Sequence, residues 1–61
     1  MKIIKFENIF VGAIFSFEGI VFRRLQDSSF GEGQVQFVNF PGDSTMNGQT
    51  CSFLKETLIN Y

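Results

Sequence analysis

Apolar and polar residues alternate in short runs along this chain, and Gly12, Gly19, Gly31, Gly33, Gly42 and Gly48 break those runs at intervals that suit short strands. The clearest unit covers residues 13–25. There Ile14-Phe15-Ser16-Phe17 and Ile20-Val21-Phe22-Arg23 flank Glu18-Gly19, which predicts a hairpin with a two-residue turn. That register sets Phe17 opposite Ile20 and Phe15 opposite Phe22. Side chains alternate across a strand, so these four share one face and Ile14, Ser16, Val21 and Arg23 share the other. Arg24 then follows Phe22 onto the core side. A buried cation without a partner is costly, so the strand is expected to bulge, bend or run out at that point.

The remaining elements follow from the same pattern. Residues 2–6 predict an N-terminal strand, and Glu7-Asn8-Ile9-Phe10 a turn leading to Gly12. Residues 26–33 read as a polar loop with Phe30 in its middle. Residues 34–40 predict a strand whose alternation slips at Phe37-Val38, the mark of a β-bulge. Pro41-Gly42-Asp43 opens a turn, and Asn47-Gly48 predicts a tight hairpin pairing Thr45-Met46 with Gln49-Thr50. A strand over residues 49–54 places Cys51 and Phe53 on one face. Residues 55–59 are too few for an independent helix and are expected to form one helical turn on the barrel end. The fold class is therefore all-β: a small SH3-like, partly open barrel of four to five short antiparallel strands, with at most one helical turn near the C-terminus, forming one domain over residues 1–61.

Composition changes this picture in one respect. A chain of 61 residues buries only about 60% of the surface its unfolded form exposes, yet it has one cysteine and no histidine, so neither an intrachain disulfide nor a mixed Cys/His zinc site can support it. Its nine phenylalanines supply the bulk instead, each burying roughly 150–250 Å². Phe15, Phe17, Phe22, Phe37 and Phe53 are the expected core, with Phe6 closing one end. The formal charge of −1 argues against a broad electrostatic grip on duplex DNA. Lys5 and Glu7 interrupt the first apolar run, unlike a signal peptide, and no apolar stretch is long enough to span a membrane. A lone thiol then favours a reducing cytoplasm.

Residues 6–24 carry the pattern Phe6-x-x-Ile9-x-x-Gly12-x-x-Phe15-x-x-x-Gly19-x-x-Phe22-x-Arg24. It resembles the pattern F-x-x-L-x-x-G-x-x-F-x-x-x-G-x-x-Y-x-K of a loose group of short phage and mobile-element proteins that look like SH3-type barrels. Phe22 and Arg24 stand where that group often has Tyr and Lys, and the match covers about a third of the chain. The resemblance implies a phage-encoded accessory protein in the host cytoplasm, with a host protein, such as a defence or regulatory factor, or nucleic acid as its target.

The residues offer little for catalysis. Ser44 beside Asp43 has no histidine to act as its base. Cys51 sits in an apolar strand with no basic neighbour to lower its pKa. The carboxylates Glu7, Glu18, Asp27, Glu32, Asp43 and Glu56 are scattered, mostly at turns, and Gly31-Glu32-Gly33 lacks the lysine and following helix of a phosphate loop. No catalytic residue, cofactor site or metal site is assigned. Binding is the expected role. Phe10, Phe30 and Phe40 fall at element ends or out of phase with the core face; exposed, they would mark a protein interface, with a host protein or a second copy as partner, a homodimer included. For Phe30 the alternative is a lid folded over one barrel end. Arg23, Asp43 and Met46 complete the candidate partner-binding set. The second reading is a barrel for single-stranded nucleic acid, using Arg23, Phe30, Lys2 and Lys5.

Overall fold

A computed structural model describes residues 2–61. Six antiparallel strands form one sheet: β1 (Ile3–Lys5), β2 (Ile14–Phe17), β3 (Ile20–Arg24), β4 (Gly33–Asn39), β5 (Thr50–Phe53) and β6 (Leu58–Asn60). Their spatial order is β1-β6-β2-β3-β4-β5. The only helical elements among the described residues are 3-10 turns at Phe6–Asn8 and Ser44–Met46. The sheet is open at β1 and β5 but strongly curled. In a flat sheet β2 and β5 would lie about 14 Å apart, three strand spacings. Instead the Phe17 and Phe53 rings meet at 5.3 Å and those of Phe15 and Phe53 at 5.7 Å. This is the expected all-β, partly open small barrel.

The β2–β3 hairpin has the expected register, with Phe17 opposite Ile20 and Phe15 opposite Phe22. Its turn places both Glu18 (φ 52°) and Gly19 (φ 79°) in the left-handed region, the conformation whose twist matches the flanking strands. Between β3 and β4 the register jumps: Val21 faces Asn39 and Phe22 faces Phe37. Val38 is the extra residue, so the bulge falls where the alternation slips.

Three expectations are corrected. The first is strand count: the chain has six strands rather than four or five, because residues 55–59 turn and then enter β6 instead of forming a helical turn. Its Ile59 is fully buried, and β6 bridges β1 and β2. The second is the Asn47-Gly48 hairpin. Asn47 instead caps the β4–β5 connection, its Oδ1 accepting from Phe40 N at 2.9 Å, while Gly48 N donates to Phe37 O at 2.8 Å. Thr45 and Met46 lie in the 3-10 turn rather than in a strand.

The third correction concerns the core. Phe6 stands at its centre, not at one end: it is fully buried among Phe15, Phe53 and the backbone of Gly33. A methyl group on Gly33 would come within 2.2 Å of the Phe6 ring edge and 3.1 Å of the Phe53 carbonyl, so glycine is required there for close approach. Ile9, Phe15, Phe22, Val35 and Ile59 complete the buried core, while Phe17, Phe37 and Phe53 pack against it half-buried. Arg24 does enter this interior, and it does so as the last residue of β3, so the strand runs out there as expected while the side chain stays buried.

Candidate functional site

Arg24 is the buried charge around which the site is built. It ends β3 with only 7% exposure. Its guanidinium Nη1 donates to the carbonyls of Phe6 at 3.1 Å, Glu7 at 3.3 Å and Ile9. Nη2 donates to Asp27 Oδ1 at 3.2 Å, and the guanidinium carbon lies 4.6 Å from the centre of the Phe6 ring. A planar fork with several fixed donors suits this convergence of carbonyls, as a lysine ammonium would not. Asp27 also meets Lys55 Nζ at 3.4 Å, and the Lys55 carbonyl accepts from Glu7 N at 2.9 Å. The Arg24 hydrogen bond and the two cations hold the Asp27 carboxyl below its ordinary range, against partial desolvation.

This network ties three loops together: residues 6–13, 25–32 and 54–57. Each presents apolar side chains to solvent. Phe10 is 77% exposed and Val11 57%, Phe30 is 89% exposed, and Leu54 is 74% exposed. Their backbones are set by local bonds. Ala13 N donates to Phe10 O across a turn with Gly12 at φ +88°, and Gly12 N donates to Arg24 O at 2.6 Å. Phe30 rides a turn organised by Ser28, whose hydroxyl accepts from Phe30 N and Glu32 N and whose carbonyl accepts from Gly31 N. Thr57 N closes the third turn on Leu54 O. Phe30 is thus no lid.

The structure divides the sequence-derived candidates. Phe10 and Phe30 belong to this loop end. Phe40, Asp43 and Met46 follow β4, whose seven residues span about 20 Å. Phe40 is half-buried, packed edge-on to Phe37 at 5.7 Å. Asp43 caps the Ser44–Met46 turn by accepting from Thr45 N, and Met46 is half-buried. Arg23 is exposed on the outer sheet face beside Ile14. Val11 and Leu54 were not singled out from sequence; both directly follow strand- or turn-phase residues and carry no marker of exposure. Cys51 is half-buried on β5, and burial pushes its thiol pKa up.

The loop end is acidic. Glu7, Glu32 and Glu56 are exposed on the same three loops, and among the described residues none of them makes an ion pair. Arg24 and Lys55 are already bound to Asp27, and Lys5, opposite Leu58 at the end of β1, is the free cation bordering this end among the described residues. No known protein family, curated protein or solved structure matches this chain.

Proposed function

We propose that this chain is a non-enzymatic binding module that engages a protein partner through the loop end carrying Phe10, Val11, Phe30 and Leu54. The observation that carries the reading is four large apolar side chains, each more than half exposed, on three loops tied together through buried Arg24, Asp27 and Lys55. Exposed aromatics on a rigid frame lose little conformational freedom on binding, which favours affinity. Large apolar side chains exposed on loops at one end of a domain mark a candidate interaction site. The resemblance to phage accessory barrels supports a host-cell protein or a second copy as the partner class, met in the cytoplasm. No helix among the described residues is long and apolar enough to cross a membrane.

The free carboxylates around the loop end weigh against single-stranded nucleic acid there, since such sites pair aromatics with basic side chains. The test is affinity capture with nuclease-treated extract, comparing wild type with a Phe10→Ala/Phe30→Ala variant. Both chains are expected to unfold at closely similar temperatures, and protein captured by wild type is expected to be lost from the variant. Equal capture by both, or capture abolished by nuclease, would sink this reading.

A further inference from the structure

The exposed apolar residues fall into two sets of opposite charge. The first is the acidic loop end. The second lies on the outer face of the sheet, where the register places Ile3 opposite Asn60, Asn60 opposite Ser16, and Ser16 opposite Val21. Ile3, Ile14, Leu58 and Tyr61 are between 46% and 69% exposed there. Ile14, Ser16, Val21, Asn60 and Tyr61 line a shallow groove of about 360 Å³ on this face. Its flanks are basic. Arg23 borders Ile14 from β3, while Lys2 and Lys5 lie on the β1 side, and among the described residues none of these three makes an ion pair. Glu18 lies on the turn beyond this face.

We propose that the chain self-associates head to tail, the acidic aromatic loop end of one copy seating on the basic apolar groove of the next. The proposal rests on the loop end being a protein-binding face, and it names the second copy as the occupant. Charge decides between arrangements. Two loop ends face to face would bring Glu7, Glu32 and Glu56 against their own copies, and two grooves would oppose Lys2, Lys5 and Arg23. Like charges set against each other suppress an interface, whereas opposite potentials favour it. The pairing that joins acidic to basic uses two different patches, and such a heterologous contact propagates into a ring or an open chain rather than ending at a twofold dimer. A standard interface takes about 800 Å² from each partner, which is about a fifth of the 4109 Å² surface.

The test is sedimentation velocity over a concentration series, at about 0.05 M and about 0.5 M salt to vary screening. Wild type is expected to grow beyond a dimer with concentration and to dissociate at the higher salt. Phe30→Arg and Ile14→Arg are each expected to weaken association by about 30-fold or more, the loss of a central contact. A mixture of the two variants retains one intact loop end and one intact groove, so it should form a one-to-one complex and nothing larger. Thermal unfolding checks that both variants fold, with Arg23→Glu replacing Ile14→Arg if the latter does not. A wild type that stays monomeric throughout, or a dimer that Ile14→Arg leaves intact, overturns the head-to-tail arrangement without touching the loop end as a face for another protein. Association lost in Ile14→Arg but unchanged in Phe30→Arg overturns the loop end as the self-associating face, and with it the head-to-tail arrangement.

Discussion

At Arg24 a cation sits beneath the surface of a very small protein, compensated by three main-chain carbonyls and one carboxylate. A chain of this length has a total stability of roughly 3–9 kcal/mol. Removing the guanidinium strands the carbonyls of the first 3-10 turn without their donor and frees the loops. Arg24→Met is therefore expected to cost about 3–5 kcal/mol, enough to leave the domain largely unfolded, as measured by urea denaturation. Arg24→Lys should recover only part of the loss, because an ammonium cannot reproduce the fork. If Arg24→Met unfolds at the wild-type urea concentration, the staple does not hold the fold. Asp27 gives the same network a pH signature. Its folded pKa is depressed, so its contribution is present above the ordinary carboxylate value of about 3.9 and is lost as pH falls through the lower folded value. Asp27→Asn is expected to be less stable than wild type at neutral pH, with the difference closing below about pH 4; thermal unfolding across that range is the check. The position of Arg24 was legible in the alternation that follows Phe22. Its solution was only partly legible: Asp27 stands three residues on, but its other acceptors are carbonyls of residues fifteen to eighteen positions earlier in the chain, and backbone acceptors leave no trace in side-chain chemistry.

Elements divide by how local their signals are. The β2–β3 hairpin and the Val38 bulge were readable because period-two alternation and a two-residue turn act within a few residues. Glu18 occupies a left-handed position that Asn fills better. Glu18→Asn is accordingly expected to stabilise the domain by about 0.5–1 kcal/mol without altering the register, seen as a higher urea midpoint. A lower midpoint would mean that the turn differs from the one described. The β4–β5 connection and β6 were misread for one reason. Asn47-Gly48 carries a strong local hairpin signal, but Gly48 N and Gln49 O are both taken by Phe37 of β4. Leu58–Asn60 is too short to form alone and exists because β1 and β2 flank it. Phe6 was displaced from an end to the centre by the same long-range effect: its amide donates to Thr57 O, and the curled sheet folds Phe53 and Phe15 over its ring.

For the whole molecule, curling has two consequences. It closes a phenylalanine core that a flat six-stranded sheet could not enclose, and it brings the 6–13, 25–32 and 54–57 loops together around the Arg24–Asp27–Lys55 network. Charge then separates in part: Glu7, Glu32 and Glu56 lie on those loops, Lys2 and Arg23 on the outer face, and Lys5 on the border between the two. Sequence showed that some phenylalanines were in excess of the interior. It did not show which ones converge, since Phe10 and Phe30 are brought to one end, and Phe40 sent to the other, only by strand direction. The most direct measurement of the binding role replaces Phe30 with a photoreactive benzoyl-phenylalanine in the producing cell, beside a control placing it at Ser44 past the far end of β4. Irradiation is expected to yield discrete protein adducts, including the second copy, from position 30 and not from position 44. No adduct at position 30, or the same adducts from both positions, would contradict a protein-binding loop end.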